Sequence, residues 1–259
     1  MIVGFITCNT RSLNVEEMMN LLEYDGKYVC IIDTHGNVFS GRARYGGQDF
    51  LECEWGLDED GLFIEDAIIC NSQIKKIEVI IPHGTVELET ENLLLRKYRL
   101  DDAEELYACF GSNPKMYQYS GWNPYATLTM AKETVKRIIN SYDDYHSYSW
   151  IMDENGDGVI VGIIGAYDYQ NNQIEVGFSV NPNRQGRGYA TEALKKVLEY
   201  LTENEGIQCV TAWCAKENDS SRKVLEKAGM KLVKNEKDGI TIDNQVYDKL
   251  IYEYQITKE

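Results

Sequence analysis

The spacing of apolar positions changes period at one place, and the second half of the chain is arranged around it. From Ile174 to Val180 the pattern alternates: Ile174, Val176 and Phe178 share one face and Glu175 lies on the other. Asn181-Pro182-Asn183 ends this strand, because a proline cannot donate to a ladder. After a glycine-rich turn, apolar residues recur at Ala190, Ala193, Leu194, Val197, Leu198 and Leu201, the spacing of one helical face. The same reading predicts a strand at Leu93–Leu100 and a helix capped by Asp101, with Glu104 completing a capping box. A loop dense in aromatics (Tyr117, Tyr119, Trp122, Tyr125) precedes a helix at Thr129–Tyr142. Strands follow at Ser147–Met152 and Val159–Tyr169, around the acidic turn 153–158, which reads as a hairpin rather than a calcium loop. A strand at Cys209–Cys214, a helix at Asp219–Lys227 stopped by Gly229, and strands near 230–234 and 249–256 complete the pattern.

Before residue 82 the runs are shorter and closer together. Val15–Leu22 reads as a short helix capped by Asn14. Strand-like runs then fall at Tyr28–Ile32, Val38–Arg44, Phe50–Trp55, Leu62–Ile64 and Ile74–Ile81, separated by glycine and acidic turns. Closely spaced strands of this kind predict a small barrel or half-barrel over residues 1–84. The break at Pro82-His83-Gly84-Thr85 separates it from a second domain over 86–259. The fold class expected for the second domain is α+β.

Charge narrows the partners. The chain carries −16, and both halves share it. Residues 1–85 hold 6 Lys/Arg against 14 Asp/Glu, and residues 86–259 hold 20 against 28, so each balance is −8. Such a surface disfavours nucleic acid and anionic lipid, and favours cationic ligands. No apolar run approaches the ~20 residues that span a bilayer. No basic-then-apolar leader stands at the N-terminus. The seven cysteines show neither Cys-x-x-Cys nor a disulfide framework, and the three histidines lie far apart, so no metal site is expected. The default is a cytoplasmic protein with reduced thiols. Its oligomeric state is open, a dimer included.

The chemistry gathers at Arg184-Gln185-Gly186-Arg187-Gly188-Tyr189-Ala190. Two glycines beside a helix start let backbone approach a ligand without a Cβ in the way. The first helical turn presents free N–H groups and the positive end of a dipole, and Arg184 and Arg187 add charge. This is a place for a pyrophosphate. No Gly-Lys-Ser/Thr follows and no Gly-x-Gly-x-x-Gly is present, so it is neither a P-loop nor a dinucleotide fingerprint.

Gln185-x-x-Gly188-x-Ala190 resembles the Arg/Gln-x-x-Gly-x-Gly/Ala signature of the GNAT acyltransferases. Thr90–Tyr107 is similar to the opening strand and helix of their RimJ/RimL-type branch. Asn218-Asp219-Ser220-Ser221, followed by Leu225–Met230, resembles the Asn-x-x-Ser helix and closing turn. Lys27–Val29, Gly36–Gly41 and Gln73–Ile80 resemble parts of a bacterial Sm-like module. The resemblance implies a mixed, mostly antiparallel sheet flanked by helices, and acetyl-CoA as co-substrate. It implies a fork between strands 174–180 and 208–214, with pantetheine held near Phe178 and Val180. The pyrophosphate would lie on 184–190, and Asn218 and Ser221 would border the sulfur.

An amine acceptor must lose a proton, so a base is needed. Glu175 is either that base or a structural ion pair with a neighbouring helix. Glu192 reads as a dipole partner or a surface charge. Asn218 and Ser221 are helix-capping residues in any reading. Ser221 is the candidate to meet the thiolate, because Leu225 stands where many relatives place an acidic Tyr. Tyr119 and Trp122 either line the acceptor pocket or pack in the core. The implied activity is direct N-acetyl transfer to a primary amine, such as a protein N-terminus or a polyamine. The alternative is a non-catalytic acyl-CoA sensor or recruitment module.

Overall fold

A computed structural model describes residues 19–64, 67–79, 83–111, 113, 116–120, 123–144 and 146–255. The chain divides into two compact units, Met1–Pro82 and His83–Glu259.

In the first unit, a short 3-10 turn at Leu21–Tyr24 precedes β1 (Tyr28–Asp33), β2 (Val38–Gly46), α1 (Gln48–Trp55), β3 (Gly61–Ile64), β4 (Ala67–Cys70) and β5 (Ile74–Val79). The sheet order is β4-β3-β2-β1-β5, all antiparallel. Leu21, Val29, Ile31, Ala43, Leu62, Ile64 and Ile69 form its core. Two expectations change here. β4 and β5 are the two edges and do not pair, so the described strands make an open sheet and no closed barrel. Phe50–Trp55 is helix, not strand. Gly56 stops it in a left-handed turn (φ +68°), its N–H donating to the Glu52 carbonyl while Leu57 N donates to the Leu51 carbonyl. Only Leu51 is buried in this helix; Phe50 and Trp55 are exposed, so their apolar character marks no sheet face. Of the helix expected at Val15–Leu22, residues 15–18 lie outside the described residues.

The second unit is one eight-stranded sheet with helices on both faces. In chain order it holds β6 (Leu88–Glu89), β7 (Leu93–Arg96), α2 (Asp102–Leu106), α3 (Leu128–Asn140), β8 (Tyr148–Glu154) and β9 (Ile160–Gln170). Then come β10 (Gln173–Val180), α4 (Tyr189–Glu199), β11 (Cys209–Ala215), α5 (Asp219–Lys227), β12 (Lys231–Ile242) and β13 (Gln245–Gln255). The order is β12-β13-β11-β10-β9-β8-β7-β6, and β10–β11 is its one parallel pair. Ile151 and Ile160 pack under α2 and α3 with Leu106, Phe110, Ala131 and Val135. Trp150, on the opposite face from Ile151, meets the Tyr200 ring that follows α4. Thus α2 and α3 cover one face and α4 the other.

The strand expected to reach Leu100 ends at Arg96, and the capping box is not formed. Asp101 makes no capping bond. Asp102 instead accepts from Arg99 N at 2.6 Å and from both terminal nitrogens of Arg96 at 2.8 and 2.9 Å. Arg96 Nε donates to Asp153 at 2.8 Å. All three side chains are buried, and the triad ties β7 to α2 and β8. The closing strands are longer than their apolar runs predict. They form a hairpin around Asp243 and Asn244, both at positive φ.

Candidate active site

β10 and β11 pair in parallel at only three positions: Gln173 with Cys209, Ile174 with Val210, and Glu175 with Thr211. Beyond Glu175 each strand keeps only its outer neighbour. Val176–Val180 follow β9, and Ala212–Ala215 follow β13. The sheet therefore opens as a fork, and the β10 backbone from Val176 onward faces it without a strand partner.

The glycine-rich turn stands at the mouth of this fork. Asn181 closes the strand end by accepting from Asn183 N at 3.0 Å. Gln185 Nε2 reaches back to the Val180 carbonyl at 3.3 Å, joining turn to strand. Gly188 is the N-cap of α4 at φ +91°, and Gly186 lies at φ +80°, conformations that require glycine. A Cβ built on either would meet nothing within 4 Å, so open space lies above the turn for a ligand. Arg184 and Arg187 both pair with Glu154, at 2.8 and 3.5 Å, and Tyr189 Oη donates to the same carboxylate. Glu154 thus holds the cationic groups of the turn together.

A cleft of about 550 Å³ joins these parts. β10 contributes Phe178 and Val180 to its lining, and the turn contributes Arg184 through Ala190. α5 contributes Asn218, Ser221 and Leu225, and the loop before α3 contributes Tyr119. Asn218 is also the N-cap of α5, accepting from Ser221 N at 3.1 Å. Trp122 lies outside the described residues. Glu192 accepts from Thr90 Oγ1 at 2.6 Å and from Asn92 N at 2.7 Å. Burial opposes its charge, yet these bonds hold its carboxyl below the usual range, so it is a structural anchor.

Glu175 is not part of the cleft lining; it sits where the fork closes. Among the described residues it forms no ion pair. Trp213 Nε1 donates to it at 2.9 Å, and Tyr167 stands directly opposite it on β9. Both Trp213 and Tyr167 line the cleft. Lys249 Nζ lies 5.0 Å over the Trp213 ring. Tyr167, Trp213 and Lys249 escaped the sequence reading. Their signal is register: opposite Glu175 stand Tyr167 and Thr211, and Trp213 and Lys249 fall on the same face as Thr211. Lys223 and Lys227, one turn apart on α5, also line the cleft and were missed. Cys214 lines it too, but burial pushes its thiol up to about 11. No cluster of His, Cys, Asp and Glu among the described residues is arranged for a metal. No helix among them is long and apolar enough to cross a membrane.

Residues 92–231 match the acetyltransferase (GNAT) domain, and the chain belongs to that family. The chain is an acetyltransferase of a family whose acyl donor is acetyl-CoA. It is 27% identical over 144 residues to the uncharacterized N-acetyltransferase YoaA of Bacillus subtilis, across 55% of this chain and 81% of YoaA. Among solved structures it shares its fold with the microcin C7 self-immunity acetyltransferase MccE in complex with acetyl-CoA and AMP. There the TM-score is 0.59 at 19% identity, covering 64% of this chain and 94% of that one. It also resembles RimL, a ribosomal L7/L12 α-N-protein acetyltransferase in complex with coenzyme A. That match has a TM-score of 0.60 at 16% identity, covering 70% and 99%.

Proposed function

We propose that the protein transfers an acetyl group directly from acetyl-CoA to a primary amine, and that the preferred acceptor is a protein or peptide N-terminus. The observation that carries this is the fork. It opens at Val176 and leads to a helix start cradled by Gly186 and Gly188. In this reading the turn 184–190 takes the pyrophosphate. The free β10 backbone near Phe178 and Val180 takes pantetheine as a pseudo-strand. Asn218 and Ser221 border the sulfur, Tyr119 borders the acceptor, and Glu175 receives the amine's proton.

Direct transfer is favoured over an acyl-cysteine route. At a thiol pKa of about 11, roughly one Cys214 in ten thousand is thiolate at pH 7. The acceptor preference rests on charge placement. Glu175 offers one carboxylate at the fork, whereas Lys249 over Trp213 repels a second positive charge further along the same face. An N-terminal amine carries its charge at the reacting nitrogen; a polyamine carries more of it elsewhere. RimL, which acts on a protein α-amine by its name, shares the fold. Steady-state release of free CoA thiol, with acetyl-CoA and a panel of tripeptides against spermidine, tests the proposal. Turnover of peptides above spermidine is expected. Turnover of neither would sink the transferase reading, and a spermidine preference would sink the acceptor assignment.

A further inference from the structure

Glu175 is the last β10 residue that pairs with β11, so the space in which an acceptor and a thioester can meet begins one residue beyond it. The carboxylate lines no part of that space. What lines it is Trp213, which donates to Glu175, and Tyr167, which stands opposite Glu175 in the β9–β10 ladder.

Tyr167 is placed there by a departure from regular sheet. Between Glu175 and Gln173 the β9–β10 register slips: two steps along β10 are matched by three along β9, from Tyr167 to Gln170. Asp168, next to Tyr167, takes φ +57°. This is a β-bulge, a device that re-aims side chains. Its consequence is visible at Gly177, whose ideal Cβ would fall 2.9 Å from Tyr167 Oη and 3.2 Å from its Cε1. The phenol thus lies across Gly177, two residues into the fork, on the same sheet face as the Glu175 that Tyr167 opposes. No other residue type fits at 177 with Tyr167 in this position. Tyr167 also stays 46% exposed, open to a bound acceptor.

Resting on the transferase reading above, we propose that Tyr167 is a catalytic residue that passes the acceptor amine's proton to Glu175. The amine nitrogen attacks the thioester carbonyl carbon and forms the C–N bond. Its surplus proton moves to Tyr167 Oη as the phenolic proton moves to a Glu175 carboxylate oxygen. The C–S bond then breaks, its electron pair leaves on the CoA sulfur, and the thiolate takes a proton from water. Glu175 gives its proton back to solvent through the same phenol. Burial first, and then the neighbouring Glu175, push the Tyr167 phenol above its ordinary value, so it is protonated throughout and serves as a conduit rather than a phenolate base. Trp213 donates an N–H only and carries no proton in this scheme; it fixes the carboxylate.

The full-length protein, acetyl-CoA and a tripeptide with a free α-amine suffice for the test. Tyr167→Phe removes one oxygen from a half-exposed ring and should fold normally. It should lower kcat by ~10²–10⁴ and leave the Kd for acetyl-CoA within about twofold. Glu175→Gln should do the same, and the double variant should be no slower than the worse single one. A proton inventory in mixed H2O/D2O separates relay from mere support. Two protons moving together give a curved dependence in the wild type, and Tyr167→Phe should make it linear. Full turnover in Tyr167→Phe with loss in Glu175→Gln would overturn the relay and leave the transferase reading standing. A linear wild-type inventory would overturn the relay as well. If the wild type turns over no amine, the transferase reading fails and the relay with it.

Discussion

Two carboxylates on the same strand–helix unit, Glu192 and Glu175, differ in who donates to them. Glu192 is bonded by Thr90 and Asn92 at the start of α4, where a negative charge also complements the helix dipole. Its folded pKa is depressed, so its contribution is fully present above the unfolded value near 4.5 and is lost as pH falls through the folded value. Glu192→Gln should therefore destabilise the protein at pH 7, by about 1 kcal/mol, and the gap to wild type should close on acidification below pH 4.5. Chemical denaturation at pH 7 and pH 3.5 checks this; an equal gap at both would mean the charge is irrelevant. Glu175 instead accepts from the Trp213 indole, opposite Tyr167 on β9, and stands at the closed end of the fork. Glu175→Gln should lower kcat by ~10²–10⁴ with acetyl-CoA affinity retained, and in the wild type the rate should rise with pH as the acceptor's ammonium gives way to the free amine. Full activity in that variant would place the base elsewhere.

Elements carry the glycine-rich turn and the frame of the sheet. Gly188 caps α4 at φ +91° with open space above it. Gly188→Asp adds both strain and a negative charge where pyrophosphate is expected, and should weaken CoA binding at least ~10-fold, about 1.4 kcal/mol, by calorimetry. Unchanged affinity in a folded variant would remove the pyrophosphate from this turn. Below it, Arg96 is 3% exposed between Asp102 and Asp153. Arg96→Ala should cost roughly 3–5 kcal/mol, because it leaves two buried carboxylates without their cation. A loss under 1 kcal/mol in urea titration would show that water replaces the guanidinium. How legible these elements were follows from how local their signals are. The period change at 174–201 is a local pattern, and it located β10, the turn and α4. Phe50–Trp55 looked like a strand because its apolar residues face solvent in a helix whose only buried side chain is Leu51. The bulge at Asp168 has no composition signal of its own, so Tyr167 was invisible until strand pairing put it opposite Glu175. The Arg96 triad was missed for the same reason: Asp153 is 57 residues away and meets Arg96 only across β7 and β8.

For the molecule as a whole, the question is where the catalytic unit begins, and the hydrogen bonds of residues 83–86 decide it. The sequence break allows a start at 86. Yet Thr85 is 3% exposed, donates its hydroxyl to the Ser147 carbonyl at 2.8 Å and accepts from Ser149 N at 2.9 Å. Gly84 O accepts from Tyr200 Oη at 2.9 Å, and Val86 O accepts from the buried Trp150 indole. His83 lies 3.3 Å from Glu205, whose carboxylate also takes the Tyr148 hydroxyl. These bonds fasten the segment to β8 and to the turn after α4. Starting at 86 removes Thr85 and strands the Ser149 N–H and the Ser147 carbonyl, each costing ~1–3 kcal/mol to the extent that water cannot reach it, while the Tyr200 hydroxyl loses Gly84 but keeps Glu205. A fragment of residues 83–259 is therefore expected to fold alone and bind acetyl-CoA with the affinity of the full chain. A fragment of 86–259 is expected to lose about 2 kcal/mol relative to it, a Tm lower by roughly 4–8 °C. Thermal melts of the two fragments with and without acetyl-CoA check both statements. Equal Tm values would mean that residues 83–85 contribute nothing to the fold, and a folded 83–259 that fails to bind acetyl-CoA would show that the donor site depends on the first unit.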